Sequence, residues 1–482
     1  MSKQNKSKRK KNINIISIII FILLLLATIG IFGVVISLGI LPIKYLIILL
    51  IIVGLFYLGI GKIIFSKKLR SWVKIFIDII CIIVIGLLIF AFYYLNSTLH
   101  FMDRIKADKY QTENYYVLVN KDAVYNELDQ IDTLGIYKST TDEYKSALDK
   151  VEEKVELEET EYDNYIELSD ALFNNDVDSI LISASYKEIL NELVEGFDDK
   201  VRILHTIEIK SESEIEVSDI DTSKESFNVY ISGIDVFGDI NMVSRSDVNM
   251  IATINPKNNK ILLTSIPRDY YVQLHGTTGS KDKLTHAGMY GVDMSINTIE
   301  DLLDIEIDYY VRVNFTTLIN LVDAIGGIDV YSDAAFTAWT DYSCHYKVGM
   351  MHLNGKCALA FARERMTYLE GDRHRVQNQQ DVIKAIASKA LSSKTLITKY
   401  TDILESMGNS FQTNIPTDNI YELINMQLDK MPAWTFDTYS LNGSDSENGT
   451  YTFGNQLLYV MEPDMSTVEE AHKKIESIIN LN

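Results

Sequence analysis

Arginine is concentrated in one short stretch near residue 370 of this acidic chain. The stretch contains Arg363 and Arg365, and then Arg373 and Arg375 ahead of Gln379. If the first pair lies on a strand, its side chains share one face, and on a following helix Arg375 and Gln379 share another. A guanidinium group donates two parallel hydrogen bonds to phosphate oxygens, which a lysine cannot do. The pattern predicts a site for one doubly charged anion, and a solvated basic surface is the alternative.

Two aspartates stand where adjacent strands are expected to meet. Asp235 comes at the end of one apolar run, and Asp247 comes just before the next run, directly after Arg245 and Ser246. Mg²⁺ takes one or two carboxylates and fills its other positions with water and substrate phosphate oxygens. The pair predicts a Mg²⁺ site, although aspartates that cap turns also give this pattern.

Arg268 and Asp269 follow a proline at the end of a third apolar run. Pro267 cannot extend the ladder of hydrogen bonds between strands, so it ends the strand and fixes the turn that presents Arg268. This arrangement suits an arginine that binds an anion. An ordinary structural pair between Arg268 and Asp269 explains the motif equally well.

An apolar stripe precedes the two glycines at positions 326 and 327. Such a stripe normally faces a protein core, and a wall that binds a lipid is the alternative. Its members are Phe315, Leu318, Ile319, Leu321, Val322 and Ile325.

No nucleophile motif competes with these groups. The chain has no Gly-x-Ser-x-Gly turn and no Walker loop, and its C-terminal histidines lack the spacing of zinc ligands. Phosphoryl transfer proceeds by charge neutralisation and positioning and needs no protein nucleophile. The residues present therefore suit chemistry at a phosphate group.

Strand and helix patterns alternate around these motifs. Residues 227–231 and 309–313 read as strands, and residues 248–254 and 260–266 form a hairpin across an Asn-Pro-Lys-Asn-Asn turn. Helices are expected at residues 317–324 and 376–391. This order predicts the α/β class, with a mixed central sheet flanked by helices.

The first 95 residues differ from the rest of the chain in charge and in hydropathy. They contain twelve of the 45 basic residues and one of the 66 acidic residues, so residues 96–482 hold 33 basic and 65 acidic groups. Three apolar runs, at residues 13–40, 45–65 and 75–95, each reach the roughly 20 residues that a membrane-spanning helix needs. A cleavable signal peptide has a shorter apolar core. The sequence predicts an integral membrane protein with three spans.

The basic residues also predict its orientation. Lysine and arginine cluster before the first span and between the second and third, which places both segments in the cytoplasm. Three crossings then put everything after about residue 96 outside the cell membrane. The acidic outer part argues against nucleic acid, which needs a basic face.

Six segments follow from these patterns. A small α/β accessory domain is expected between the spans and the part that carries the motifs, because short strand and helix patterns alternate there without chemical residues. The predicted segments are a cytoplasmic basic tail (1–12), three transmembrane helices (13–95), a connector (96–113), the accessory domain (114–208), an acidic linker (209–225) and a catalytic domain (226–482).

Cys344 and Cys357 both fall in the outer part. In an extracytoplasmic compartment they are able to form a disulfide that closes a short loop, and two separate buried thiols are the alternative. Cys81 lies in an apolar run, where it behaves as a small hydrophobic residue.

The chain resembles the LytR-CpsA-Psr family, in the form that has three spans and an intervening module. The resemblance covers residues 226–392, and the motifs come in the family's order. They are Gly233-Ile234-Asp235, Arg245-Ser246-Asp247, Ser265-Ile266-Pro267-Arg268-Asp269, Lys283-Leu284-Thr285-His286-Ala287, residues 309–327 and residues 361–380. The resemblance implies an extracytoplasmic enzyme that moves an anionic glycopolymer, a wall teichoic acid or a capsular polysaccharide, from a polyprenyl pyrophosphate carrier to peptidoglycan.

The resemblance also implies roles for individual residues. Asp235 and Asp247 correspond to a Mg²⁺ and pyrophosphate site, and the apolar stripe corresponds to the wall of a prenyl-chain tunnel. Asp235, Asp247, Arg268 and Arg365 are the expected catalytic residues, with Asp372 as a candidate base. The expected substrate-binding residues are Arg245, Arg268, Lys283, Arg363, Arg365, Arg375 and Gln379.

Two other functions fit the same residues. A non-catalytic sensor or regulator of the cell envelope is one, although a cytoplasmic tail of about a dozen residues is too short for a DNA-binding domain. A hydrolase that cleaves polyprenyl pyrophosphate is the other, with water in place of the peptidoglycan hydroxyl.

Overall fold

A computed structural model shows a helical N-terminal part, a small α/β module and a larger α/β domain. It describes residues 3–37, 41, 43–66, 69–105, 110–138, 141–212, 218, 220–234, 240, 243–368, 371–392, 399, 402, 403, 406 and 411–481. Elements are numbered below in chain order.

Three long helices form the N-terminal part: α1 (Lys3–Ser37), α2 (Ile43–Phe65) and α3 (Ser71–Ile105). Each contains an apolar stretch long enough to cross a membrane. The three predicted spans are therefore present as helices. Helix α3 runs past residue 95 because no glycine or proline interrupts residues 87–105. The connector predicted for residues 96–113 is thus helical at its start and is a strand from Tyr110.

A five-stranded sheet with four helices forms the accessory module. The sheet has the order β3-β2-β4-β1-β5. Its strands begin and end outside the predicted limits of 114 and 208, so the predicted acidic linker is shorter. The elements are β1 (Tyr110–Asn120), β2 (Thr133–Tyr137), α4 (Asp142–Glu152), β3 (Glu158–Tyr162), α5 (Tyr165–Phe173), β4 (Ser179–Ser183), α6 (Ala184–Leu193), α7 (Phe197–Lys200) and β5 (Val201–Glu212).

Helix α6 packs the accessory module onto the larger domain. Ile189 lies in a buried apolar cluster with Met289 and Phe453. The Ser185 hydroxyl donates a hydrogen bond of 3.0 Å to the Val243 carbonyl. One face of α6 is therefore buried against the larger domain.

A six-stranded mixed sheet organises the larger domain, in the order β16-β11-β6-β7-β8-β17. Strands β6, β7 and β8 form an antiparallel meander, and β6 and β11 are parallel. The predicted hairpin is confirmed, with Asn249 opposite Ile266. The strands are β6 (Phe227–Ile234), β7 (Ser246–Asn255), β8 (Lys260–Ile266), β9 (Tyr271–Val272), β10 (Asp282–Lys283), β11 (Tyr309–Val313), β12 (Ile328–Ser332), β13 (Phe336–Thr337), β14 (His345–Tyr346), β15 (Gly349–Leu353), β16 (Phe411–Thr413), β17 (Thr435–Ser440), β18 (Gly443–Thr450) and β19 (Gly454–Pro463).

Helices cover both faces of this sheet. Alternation along β6 sends Tyr230 to one face and Val229 to the other. Tyr230 packs with α9 and α14, and Val229 packs with α12 and α13. The predicted fold class, a mixed sheet flanked by helices, is confirmed. The helices are α8 (Leu284–Ala287), α9 (Val292–Leu303), α10 (Phe315–Ala324), α11 (Gly355–Ala362), α12 (Asp372–Ala390), α13 (Thr417–Lys430) and α14 (Met465–Ile479).

A disulfide links Cys344 to Cys357. It joins the segment just before β14 to helix α11. Around it pack β12, β13, β14 and β15 as two small antiparallel ribbons. The bond thus fixes this lobe to the helix whose C-terminal end leads to Arg363.

Candidate functional site

One edge of the six-stranded sheet gathers the predicted charged residues. Strands β6 and β11 end at this edge, β7 begins there, and β8 ends there, because β7 is antiparallel to both of its neighbours. Asp247 lies at the start of β7, Arg245 just before it, and Arg268 just after β8. The fold thus brings together residues that are far apart in sequence. Asp235 lies outside the described residues.

Asp247 is the carboxylate at the centre of this edge. Nη1 of Arg268 donates to its Oδ2 at 2.7 Å, and the Thr285 hydroxyl donates to its Oδ1 at 3.3 Å. The side chains of Asp247 and Arg268 are 14% and 20% exposed. Such a charge-assisted pair contributes about 1.5–3 kcal/mol when it is partly buried.

The charges around Asp247 keep it ionised. Burial by itself raises the pKa of this carboxyl group, but the charges of Arg268, Arg245 and Arg375 and the hydrogen bond from Thr285 outweigh burial. The pKa of Asp247 is therefore lowered from its ordinary value. An ionised carboxylate among arginines is able to hold a cation together with an anion.

Asp269 extends this network through Arg268 to Lys283. Its Oδ2 accepts from Nε of Arg268 at 3.3 Å, and its Oδ1 accepts from Nζ of Lys283 at 3.0 Å. The predicted structural pair between Arg268 and Asp269 is therefore present. Arg268 also contacts Asp247, so its pairing with Asp269 does not remove it from the site.

Arg363 and Arg365 lie beyond the end of helix α11. Residues 361–365 do not form the strand on which Arg363 and Arg365 would share one face, because the Asn354 side chain accepts a hydrogen bond from the Cys357 backbone and starts a helix. Each arginine lies over an aromatic ring instead. Cζ of Arg363 is 4.3 Å from the Phe315 ring centroid, and Cζ of Arg365 is 5.5 Å from that of Trp339.

Helix α12 supplies Arg375 and Gln379. It begins at Asp372, four residues earlier than predicted, and the two side chains line the same cavity as their spacing predicts. Arg375 is 7% exposed. Asp372 is the first residue of the helix, and its side chain lies outside the part of the chain that the structure describes.

An apolar cavity of about 490 Å³ opens beside these charges. Five arginines line it, and so do Asp247 and Gln379. Its apolar lining includes residues of β6, β11, α10, α11, α12 and β16. The arginines are Arg245, Arg268, Arg363, Arg365 and Arg375.

The apolar stripe of α10 divides between the cavity and the core. Phe315, Leu318 and Leu321 line the cavity, whereas Val322 and Ile325 are buried in a core cluster. The stripe therefore contributes both to the core and to the cavity wall. A Cβ atom at Gly355 would overlap the backbone of Ile319, so α10 and α11 pack backbone to backbone next to the cavity.

Lys283 lies elsewhere than predicted. It does not line the large cavity but a second, smaller pocket of about 80 Å³. Arg245 and Arg268 line both cavities, so they form the partition between them. Lys283 therefore adds positive charge on the far side of the arginine pair.

A comparison with models of protein families identifies the family of this chain. The model of the LytR_cpsA_psr family matches residues 193–474, which is more than half of the chain. The chain belongs to the LytR-CpsA-Psr family. The match begins at the end of α6, inside the accessory module, and covers all of the site described above.

Several curated proteins are similar to this LytR-CpsA-Psr chain. The teichoic acid transferase TagU of Bacillus cereus (strain AH820) is 38% identical over 203 residues, which is 42% of this chain and 65% of that protein. TagV of Bacillus subtilis (strain 168) is 34% identical over 268 residues, which is 53% of this chain and 66% of that protein. The chain thus covers less than two thirds of the length of each.

Two solved structures are similar to the same part of the chain. A crystal structure of B. subtilis TagV is 34% identical, with a TM-score of 0.46 over 54% of this chain and 99% of that one. A structure of the family protein YwtF (TagT) with bound octaprenyl pyrophosphate lipid is 26% identical, with a TM-score of 0.42 over 55% and 95%.

The cavity of this LytR-CpsA-Psr protein also includes residues that the sequence interpretation missed. Val382, Ile383 and Ile386 of α12 line it. They follow Arg375 and Gln379 at helical spacing, so extending that face along the helix would have found them. Trp339 belongs to a loop between short strands, and no local pattern marks it.

Proposed function

We propose that this chain transfers an anionic glycopolymer from a polyprenyl pyrophosphate carrier to peptidoglycan, with teichoic acid as the polymer. One observation carries the proposal: five arginines and an ionised aspartate line an apolar cavity. A polyprenyl pyrophosphate has this combination of an apolar chain and a doubly charged head. The named transferase activities of the TagU and TagV relatives support the same substrate class.

The chemistry follows from the distribution of charge. The pyrophosphate bond is already activated, so a reaction outside the cytoplasm needs no nucleotide. In the transition state, negative charge grows on the oxygen that leaves with the lipid phosphate. Arginine groups that are already in position before the reaction starts stabilise that charge. Preorganised electrostatic stabilisation of this kind accounts for most of the rate enhancement in many enzymes. The acceptor hydroxyl attacks the distal phosphorus, and the lipid leaves as a monophosphate.

We include Mg²⁺ in this proposal. Among the described residues no three acidic, histidine or cysteine side chains cluster as a complete metal site. Mg²⁺ commonly binds through one or two carboxylates together with substrate phosphate oxygens, and Asp247 fits that need because it is ionised and faces the cavity. Asp235 is the second expected ligand. When bound, the ion would neutralise phosphate charge.

The site is proposed to lie outside the cytoplasm. Three apolar helices precede it, and the basic clusters of residues 1–12 and 67–74 favour the cytoplasmic side. The disulfide between Cys344 and Cys357 supports an oxidising compartment. With an odd number of crossings, the accessory module and the catalytic domain would lie on the outer face.

The test is transfer by the full chain in lipid vesicles. Labelled teichoic acid on a polyprenyl pyrophosphate carrier and purified peptidoglycan are supplied, and label bound covalently to peptidoglycan is measured. Release of free polymer instead would identify a hydrolase. If neither product forms, the result would favour a sensor.

Two arginines on helix α12 give a matched pair of variants. Arg375 lines the cavity. Arg373 does not line it, and its guanidinium group donates a hydrogen bond of 2.8 Å to the Gly443 carbonyl. Arg375→Ala is expected to lower transfer by about 10²–10³-fold, the usual effect of losing one group that stabilises transition-state charge. Arg373→Ala is expected to retain transfer. Equal effects of the two variants would contradict the site assignment.

A further inference from the structure

The pocket of about 80 Å³ lies directly behind the arginine pair. Arg245 and Arg268 separate it from the large cavity. Its other walls come from three separate parts of the chain: the 269–286 region, β19, and helix α6 of the accessory module. They are Asp269, Lys283, Thr285, His286, Leu458, Ile189 and Leu193.

In-line phosphoryl transfer needs two approaches to one phosphorus. The attacking and leaving oxygens lie on opposite sides of the phosphorus in the transition state. If the prenyl chain occupies the apolar cavity, the leaving oxygen lies on that side of the arginine pair. The acceptor hydroxyl must then arrive from the other side, where the small pocket lies.

His286 lines this pocket and pairs with Asp282. Its Nδ1 is 2.6 Å from Oδ1 of Asp282, and both side chains are buried. When Asp282 is ionised, Nδ1 holds a hydrogen, so the lone pair of Nε2 is free to accept a proton. Among the residues that the structure describes, none hydrogen-bonds to Nε2.

Asp282 is itself held in place from several directions. Its Oδ1 also accepts from the Lys283 backbone at 2.7 Å, and its Oδ2 accepts from the Thr452 backbone at 2.8 Å and from the Thr452 hydroxyl. The His286 ring also lies against Phe453 at 5.4 Å between centroids. These contacts fix the ring orientation and its tautomer.

We propose that this pocket receives the acceptor hydroxyl, that His286 takes its proton, and that Asp282 positions His286. This rests on the proposed transferase function. The acceptor oxygen forms a bond to the distal phosphorus, and its proton passes to Nε2. The bond from that phosphorus to the bridging oxygen breaks, and its electron pair leaves with the lipid monophosphate. The proton is then released to solvent.

The pocket also gives the accessory module a role. Ile189 and Leu193 of α6 form one wall, so the module helps to select the acceptor.

The first test replaces His286 with glutamine in the full chain. His286→Gln is expected to lower transfer by about 10²–10⁴-fold, the usual contribution of a general base. It is also expected to abolish the rise of kcat/KM with pH on the acidic side and to leave the KM for the lipid substrate unchanged. Asp282→Asn should show the same flattened profile, because it disturbs the histidine tautomer.

The charged groups that line the pocket remain in both variants, so the pH profile reports on the imidazole. They are Arg245, Arg268, Asp269 and Lys283. Thermal unfolding shows whether each variant is folded. A folded His286→Gln protein with the wild-type rate and pH profile would overturn the assignment, and so would loss of the same pH limb in Asp372→Asn alone.

The second test fills the pocket from the accessory module. Leu193→Trp is expected to raise the KM for peptidoglycan about tenfold, and Glu188→Trp, an exposed position on the same helix, is expected to leave it unchanged. Equal KM values for the two variants would overturn the approach through this pocket. If the wild-type chain transfers no polymer, the proposed function fails and the inference fails with it. Transfer by wild type with no effect of these variants refutes the inference alone.

Discussion

Replacing Asp247 with asparagine removes one charge from the arginine site and keeps the shape of the side chain. The carboxylate pairs with Arg268 at 2.7 Å and is mostly buried, so its loss removes one of the two carboxylates that contact Arg268. A charge-assisted hydrogen bond of this kind contributes about 1.5–3 kcal/mol. We expect Asp247→Asn to lower the free energy of unfolding by about 2–3 kcal/mol at pH 7.

The effect should depend on pH with a defined sign. The folded protein holds the pKa of Asp247 below its ordinary value of 3.8. The charged carboxylate therefore adds stability above pH 3.8, and this stability is lost as the pH falls through the lowered pKa. The difference between wild type and Asp247→Asn should be full at pH 7 and should shrink below about pH 3.8.

Thermal unfolding of the full chain in detergent measures this difference. For a domain of this size, about 2–3 kcal/mol corresponds to a decrease in Tm of about 4–12 °C. Asp437→Asn is the control, because Asp437 is 57% exposed and makes a surface pair with Lys260. Such a pair contributes at most about 1 kcal/mol.

Anion binding provides a second, opposite readout. Without Mg²⁺, Asp247→Asn should bind inorganic pyrophosphate about tenfold more tightly, which equals ~1.4 kcal/mol of removed repulsion. Polymer transfer by the same variant should fall. Unchanged stability at pH 7 together with unchanged pyrophosphate affinity would refute the account of Asp247 as the charge at the centre of the site.

Three further predictions concern other parts of the site. Trp339→Leu should lower kcat/KM for transfer about two- to fivefold because Arg365 loses its aromatic support, worth about 0.5–1 kcal/mol at an exposed position, and Trp339→Phe should retain most activity. Leu321→Trp should fill the cavity and weaken binding of a polyprenyl pyrophosphate at least tenfold while binding of inorganic pyrophosphate is unchanged, and Asn320→Trp on the exposed side of α10 should alter neither affinity. The double variant Cys344→Ser/Cys357→Ser should lose about 2–3 kcal/mol of stability, because the bond closes a short loop with a sequence separation of 13, and wild-type Tm should fall similarly on reduction.

The sheet could be predicted because its strands are marked locally. Apolar runs of four to eight residues end at turn residues, and the hairpin between β7 and β8 contains an Asn-Pro turn. The placement of Asp247 and Arg268 at one edge follows from that hairpin. Local sequence therefore contained much of the information for this side of the site.

The other side depended on contacts that local patterns do not show. Residues 361–365 alternate like a strand, yet Asn354 caps a helix whose buried Ala358 and Ala362 lie four residues apart. The loop that contains Trp339 and the second pocket that contains Lys283 result from packing between distant segments. Charge spacing identified the arginines but not the partition that two of them form.

The absence of a side chain at Gly355 bears on which lipid carriers would fit the cavity under the proposed function. Helices α10 and α11 touch through their backbones there, so these two helices cannot come closer together, and any larger residue at this position would force them apart. The spacing of these two cavity walls is therefore set by the glycine. We expect branching of the carrier to affect its binding more than its length does.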